Sequence, residues 1–267
     1  MAEISAALVK ELRERTGAGM MDCKRALQET NGDMEAAAVL LREKGMANVA
    51  KRAGRKTTEG KVGYRLADDG SKGTMVAVGC ETEPVSGNDE FLAYAKKVLE
   101  AVDAKGVGAE ADLDAERTEL AAKLGENIVV AGVARFEAVG GGLVAAYAHP
   151  PANKLGVLLQ VRGADADLGR RLAMHIAALN PQWIGREDVP DELVAAEREI
   201  YANSDEVKSK PEQARDKIVE GMLNKRFFGA NVLTSQEWIH DSSKTVGQAL
   251  QEAGAEVLEF ERFALSG

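Results

Sequence analysis

Two glycine-containing breaks divide the first 45 residues into three short segments of helical periodicity. The first break is Thr16-Gly17-Ala18-Gly19 and the second is Asn31-Gly32, and glycine in such positions marks turns and helix ends. Asp33 is a good N-cap for the third segment, and Gly45 stands where a C-terminal glycine belongs. We therefore predict a domain of three short helices with one shared core over residues 1–45.

A different pattern begins after residue 60. Residues 46–60 are polar and basic, which predicts a linker whose first residues are compatible with a helix. Its basic residues are Lys51, Arg52, Arg55 and Lys56. A solvated linker is the favoured interpretation, and an RNA-binding patch is the alternative. Two β-rich runs, 62–66 and 74–78, then flank Asp68-Asp69-Gly70, and this arrangement predicts a β-hairpin.

Strands and helices are grouped along the rest of the chain and do not strictly alternate, which favours the α+β class. Further strands are predicted at 128–138, 143–148, 155–161 and 256–264, and helices at 88–102, 114–126, 165–178 and 245–252. Two charged helical segments, 190–202 and 211–224, predict a helical hairpin over about 190–225. We divide the core into a first subdomain, 61–140, and a second subdomain, 141–267, which contains the hairpin.

The composition limits the functions that the chain can have. Its 267 residues suffice for two or three compact units, and 45% apolar with 29% charged residues are typical of a globular protein. A net charge of -9 and 4% aromatic residues disfavour direct nucleic-acid binding, which needs surplus Lys and Arg and stacking platforms. The two cysteines lie far apart, and the N-terminus does not have the apolar stretch of a signal segment. No apolar run approaches the roughly 20 residues that span a bilayer. We therefore predict a cytoplasmic protein without a membrane segment.

No constellation of catalytic or metal-binding residues stands out in the sequence. The three histidines, His149, His175 and His240, lack zinc-ligand spacing, so no metal site is predicted. Segment 54–61 resembles a phosphate loop, but five residues separate its glycines and the Ser or Thr that must hold magnesium is missing. A binding or regulatory role is therefore favoured, and a small-molecule enzyme on an α+β scaffold is the alternative.

The segment LRERTGAGMMDCKRAL, residues 12–27, closely resembles the N-terminal signature of the elongation factor Ts family. Five further strings resemble that family, in the same order along the chain. They are Gly125-Glu126-Asn127-Ile128, Tyr147-Ala148-His149 with Leu155–Leu158, Ala173–Ala177 with Asn180-Pro181, Lys217–Gly221, and Thr245-Val246-Gly247. Chance does not explain so many strings in one order, so the chain is similar to this family over nearly its whole length.

The resemblance implies both a fold and a role. The fold is a three-helix domain like a ubiquitin-associated domain, followed by a two-subdomain α+β core with an inserted helical hairpin. The role is to bind elongation factor Tu, GDP-bound or nucleotide-free, and to speed GDP release without a cofactor or an enzymatic reaction. By resemblance, Arg13, Met20 and Met21 contact the GTPase domain of that partner, and His149 lies near a second contact. Adjacent methionines on a helix cannot both point inward, so one of the pair is expected to be exposed.

One functional segment departs from the family pattern. The family uses a loop that reads Thr-Asp-Phe-Val to disturb the magnesium and phosphate site of its partner. The matching residues here are Thr82, Glu83, Pro84 and Val85. In the family, the phenylalanine ring inserts as a wedge between helices of the partner. Proline has no large aromatic face, so this role does not transfer to Pro84. Two interpretations stay open: an elongation factor Tu stabiliser with reduced exchange activity, or an exchange factor with rearranged contacts. Turn 150–154 is a second departure, because it is longer than the family's commonest turn there.

Overall fold

The computed structural model describes residues 4–265 and begins with three helices. They are α1 (Ala6–Thr16), α2 (Met20–Glu29) and α3 (Met34–Arg52). The side chains of Ser5 and Asp33 accept hydrogen bonds from the first turns of α1 and α3, where a helix leaves backbone N–H groups without partners. Leu12, Cys23 and Leu27 are fully buried between the helices. The prediction of three helices in this region is confirmed.

The prediction that the third helix ends at Gly45 is wrong, because α3 continues to Arg52. The reason is tertiary packing against α6 (Asp114–Leu124), a helix of the core. A Cβ atom at residue 45 would lie 3.0 Å from the Cβ atom of Ala122, so glycine lets the two helices approach closely. Only residues 53–58 of the predicted linker lie outside regular structure, between α3 and the first strand. The domain boundaries themselves stay predictions.

The first half of the core is a three-stranded antiparallel sheet covered by helices on one face. Its strands, in the order β1-β2-β3, are β1 (Glu59–Leu66), β2 (Lys72–Cys80) and β3 (Val129–Glu137). Its other elements are the one-turn α4 (Glu83–Ser86), α5 (Asp89–Lys105), a 3-10 helix (Ala109–Leu113) and α6. The predicted hairpin is confirmed, and its turn contains Gly70 with a φ of 69°, a conformation that glycine adopts without strain.

The second half is another three-stranded antiparallel sheet, in the order β4-β5-β6. Its strands are β4 (Leu143–Ala148), β5 (Leu155–Arg162) and β6 (Glu256–Ala264), which confirms the three predicted strands. Its helices are α7 (Ala166–Leu179), a 3-10 helix (Arg186–Asp188), α8 (Asp191–Asn203), α9 (Asp205–Lys208), α10 (Glu212–Met222), a π-helix (Leu223–Phe228), α11 (Gly229–Asn231), a 3-10 helix (Leu233–Ser235) and α12 (Val246–Ala253). Helices α8 and α10 contact each other, which confirms the predicted hairpin.

The two sheets pack face to face, so the core has four layers in the order helix, sheet, sheet, helix. Alternate residues of a strand point to opposite faces of its sheet. Met75 and Ala77 of β2 share an apolar cluster with Leu158 of the second sheet. Val76, between them in sequence, belongs to the cluster that contains Phe91 of α5. Both faces of β2 are therefore covered, which explains why nearly all its residues are buried.

Each sheet carries its own helices on its outer face: α5 and α6 cover the first sheet, and α7 and α12 cover the second. This grouping of two antiparallel sheets and their helices confirms the predicted α+β class. None of the helices between residues 4 and 265 combines the length and the apolar character that crossing a bilayer requires.

Candidate partner-binding surfaces

The first candidate surface is the N-terminal end of α2. Met20 and Met21 are the first two residues of this helix and are 53% and 64% exposed. The sequence argument required one exposed methionine, and the structure exposes both. Gly17, with a φ of 69°, ends α1, and the chain turns directly into α2. Exposed methionines are flexible and polarisable, which suits an adaptable partner-binding surface.

Arg13, the third residue predicted for this surface, is exposed on α1. Its backbone carbonyl accepts a hydrogen bond from Gly17 N–H at 2.8 Å, so it lies one turn before the break that leads to Met20. Nearby Arg15 is held by Glu35 through two N–O distances of 2.6 and 2.7 Å. Within residues 4–265 no such partner holds the guanidinium of Arg13. Both arginines of this helix are exposed, and of the two only Arg15 is held by an ion pair within residues 4–265.

The second candidate surface is the Thr82–Val85 segment, whose last three residues lie in a one-turn helix. Helix α4 begins at Glu83, and Pro84 occupies its first turn, where the missing N–H of proline costs no helical hydrogen bond. Ser86 donates its hydroxyl to the carbonyl of Glu83 at 2.8 Å and stabilises this turn. Thr82, Glu83 and Pro84 are exposed, whereas Val85 is half-buried against the α5 cluster. The segment thus presents its two departures from the family pattern to solvent on an ordered turn.

A carboxylate from a distant part of the chain holds the start of the Thr82–Val85 segment. The Oε2 atom of Glu126 accepts hydrogen bonds from the backbone N–H groups of Glu81, at 3.0 Å, and Thr82, at 3.1 Å. The Oε1 atom of Glu126 accepts the hydroxyl proton of Thr82 at 2.5 Å. In return, the carboxylate of Glu81 accepts the backbone N–H of Asn127 at 2.7 Å. These reciprocal bonds fix where β2 ends and where the segment begins.

Cys80 lies directly before this network, at the end of β2. It is fully buried, and its thiol donates to the carbonyl of Thr82 at 3.3 Å. Burial, reinforced by the negative charge of Glu126, raises the pKa of the Cys80 thiol to about 12. The thiol therefore stays protonated near neutral pH, and protonated thiols are poor nucleophiles and metal ligands.

The third candidate residue, His149, is exposed in the turn between β4 and β5. Its Nδ1 atom lies 2.8 Å from the hydroxyl of Tyr147, which orients the imidazole ring. The turn contains a cis peptide bond between Pro150 and Pro151 and contacts β1 of the first sheet through Val62 N–H, which donates to the carbonyl of Asn153 at 2.6 Å. His149 therefore sits at an ordered turn that joins the two sheets.

The structure does not bring the three candidate regions into direct contact. Across residues 4–265, no hydrogen bond or ion pair joins the α2 terminus, the Thr82–Val85 segment and His149. Sequence reasoning missed the residues that support the second region, namely Glu81, Glu126 and Asn127. The signal that could have identified them is the string Gly125–Ile128, which resembles the family and contains two adjacent polar side chains, Glu126 and Asn127.

The remaining histidines have structural surroundings. His175 is fully buried, and its Nε2 atom lies 2.9 Å from the side-chain oxygen of Gln236. His240 places Nε2 3.1 Å from the carbonyl of Arg171. In the described part of the chain, no group of three or more His, Cys, Asp or Glu side chains is arranged to hold a metal ion.

Comparison with known proteins gives near full-length matches. A family profile described as "Elongation factor TS" matches residues 81–267. The elongation factor Ts of Idiomarina loihiensis is 46% identical over 97% of this chain and 90% of its own length. That of Thioalkalivibrio sulfidiphilus is 42% identical over 97% and 91%, and that of Escherichia coli O139:H28 is 43% identical over 98% and 92%.

The two-sheet core, the three-helix N-terminus and these matches define the class of the protein, a translation elongation factor. The chain belongs to the elongation factor Ts family. The resemblance noted in residues 12–27 and in the later strings is thereby confirmed.

Proposed function

We propose that this chain is a guanine nucleotide exchange factor that speeds GDP release from elongation factor Tu during protein synthesis. The observation that carries the proposal is identity of 41–46% with proteins named elongation factor Ts over at least 97% of the chain. The exposure of Met20, Met21 and the Thr82–Val85 segment supports it, because residues that bind a partner must be accessible.

The mechanism is linkage between two binding events and requires no bond chemistry in this protein. A factor that binds nucleotide-free elongation factor Tu more tightly than the GDP-bound form must weaken GDP binding by the same ratio. Each tenfold ratio corresponds to about 1.4 kcal/mol of coupling free energy. The protein is therefore not an enzyme in the usual sense, needs no cofactor of its own and acts in the cytoplasm, where its partner works.

In this proposal, three regions of the chain make different contacts with elongation factor Tu. Arg13, Met20 and Met21 grip the GTPase domain, and the Thr82–Val85 segment reaches the magnesium and phosphate site. His149 and the second sheet hold a different domain of the same partner. The Pro84 side chain supplies no aromatic wedge, so we assign the disturbance of magnesium to the ordered turn α4 and the carboxylate of Glu83. The alternative, a stabiliser with reduced exchange activity, is not favoured, because the similar proteins are named elongation factor Ts.

Stopped-flow release of fluorescent GDP from the cognate elongation factor Tu tests the proposal. Adding this chain should raise the release rate, and the rate should saturate as its concentration increases. Gel filtration should yield a complex with nucleotide-free elongation factor Tu that GDP with magnesium dissociates. Complex formation without faster GDP release would replace the exchange role with the stabilising role. No complex after complete nucleotide removal would refute the proposed partner.

A further inference from the structure

Two adjacent residues in the turn between α6 and β3 hold two different segments of the chain. Glu126 holds the start of the Thr82–Val85 segment through the three hydrogen bonds given above. The amide nitrogen of Asn127 donates to the carbonyls of Ala53, at 3.4 Å, and Arg55, at 2.9 Å. Residues 53–55 directly follow α3, the last helix of the N-terminal region. One turn thus holds both the residues that follow α3 and the residues with which the second candidate surface begins.

These bonds are of a kind that fixes geometry. A carboxylate that accepts backbone N–H groups makes charge-assisted bonds, which are shorter and stronger than bonds between neutral groups. Asn127 is 5% exposed, so its bonds are shielded from competing water. The carboxylate of Glu81 also approaches the guanidinium of Arg55, at 3.3 Å. Segments 53–55, 81–82 and 126–127 are therefore joined in a closed ring of hydrogen bonds and one ion pair.

The N-terminal helices rest on the same helix that leads into this turn. Gly45 of α3 packs against Ala122 of α6, and Arg42 forms an ion pair with Glu119, also on α6. Helix α3 of the N-terminal region thus packs against α6, and the turn that follows α6 holds the start of the Thr82–Val85 segment. Both regions therefore contact one continuous stretch of chain, α6 and the turn after it.

We propose that Glu126 and Asn127 are positioning residues for nucleotide exchange. They hold the N-terminal surface and the Thr82–Val85 segment at a fixed separation, so that both engage one partner molecule together. This inference rests on the proposed function, and it assigns the control of the exchange rate to residues outside the contact surfaces. A loosened ring leaves each surface chemically intact, so affinity changes little. The Thr82–Val85 segment then samples many orientations, so fewer encounters disturb the nucleotide site.

The substitution Glu126→Gln tests the inference, because the amide keeps the size of the side chain but loses the negative charge that strengthens its hydrogen bonds. The maximal rate of GDP release should fall about tenfold, while the concentration for half-maximal effect should change by less than about threefold. Asn127→Ala should act in the same direction. The matched control is Glu116→Gln on α6, whose carboxylate pairs at the surface with Lys97. Both kinetic parameters of the control should stay within about twofold of wild type.

A second measurement separates this inference from the proposed function. Hydrogen exchange of the Glu81 and Thr82 amides reports the bonds to Glu126 directly, without elongation factor Tu. Exchange there should become about tenfold faster in Glu126→Gln and should be unchanged in Glu116→Gln. If wild type does not release GDP, the proposed function fails, and the amide exchange still decides whether Glu126 holds the segment. Unchanged amide exchange, or an unchanged maximal rate with an active wild type, would overturn the inference.

Discussion

The Nε2 atom of His175 lies 2.9 Å from the side-chain oxygen of Gln236, and both side chains are buried. The backbone N–H of Ile239 points to the other ring nitrogen, Nδ1, at 3.4 Å. One ring nitrogen therefore donates and the other accepts, which is the pattern of a neutral imidazole. Burial is the main reason that the pKa of His175 is lowered to about 4, and nearby His240 lowers it further.

We predict that protonation at His175 destabilises the fold as the pH falls. Above pH of about 6.5 the histidine is neutral in both states and contributes no pH dependence. Between about 6.5 and about 4 the unfolded chain binds the proton and the folded chain does not, so the free energy of unfolding decreases. The full loss is about 3 kcal/mol and is reached below the folded pKa. Urea unfolding at a series of pH values measures it.

The variant His175→Gln removes the titrating ring from the buried site. It should be less stable than wild type at pH 7, but its stability should fall less steeply between pH of about 6.5 and about 4. The matched control is His149→Gln, which removes an exposed histidine and leaves His175 in place. Equal slopes for wild type and His175→Gln would exclude this histidine as the source of the acid sensitivity.

Two helical glycines, Gly45 and Gly221, should respond differently to substitution by alanine. Alanine is favoured over glycine within a helix by about 1 kcal/mol. A Cβ atom at Gly221 of α10 would meet nothing within 4 Å, so Gly221→Ala should gain most of that energy. At Gly45 the new atom would lie 3.0 Å from Ala122, so Gly45→Ala should gain nothing and Gly45→Leu should destabilise the protein. Thermal unfolding of the three variants measures the differences.

Gly45 also illustrates which part of the structure the sequence could not predict. A glycine that ends a helix and a glycine that lets two helices touch have the same local signature, and only Ala122, far along the chain, separates the two cases. The elements themselves followed from periodicity and turn residues, and β6 was predicted with its observed bounds. The ring around Glu126 was not predictable, because its contacts join residues 26 to 74 positions apart. Local patterns carry no information on such pairs.

The exposed methionines offer a direct test of the N-terminal surface. We predict that Met20→Asp combined with Met21→Asp weakens the complex with nucleotide-free elongation factor Tu about 30-fold, since losing an interface anchor costs about 2 kcal/mol. Both side chains are more than half exposed, so helical content measured by circular dichroism should not change. Val107→Asp is the control, because Val107 is 62% exposed outside the candidate surfaces. Unchanged affinity of the double variant would remove α2 from the interface.

The Thr82–Val85 segment permits a test of the aromatic wedge. Restoring the family pattern with Glu83→Asp and Pro84→Phe should raise the maximal rate of GDP release about tenfold, because the ring adds an anchor that acts at the magnesium site. Residue 84 is exposed and lies in the first turn of α4, where a backbone N–H needs no helical partner. Phenylalanine should therefore be accepted there, at a cost of about 0.4–1 kcal/mol for the lost rigidity of proline.

The control for this test is Glu83→Asp with Pro84→Ala, which releases the same backbone constraint without adding a ring. If the aromatic ring itself accelerates GDP release, only the phenylalanine variant should be faster than wild type. The gain should appear in the maximal release rate more than in affinity, because other surfaces supply most of the binding energy. Equal acceleration by both variants would assign the effect to a more mobile α4. If neither variant exceeds wild type, the partner has no pocket for the ring, and the turn α4 with the carboxylate at residue 83 loosens magnesium without an aromatic side chain.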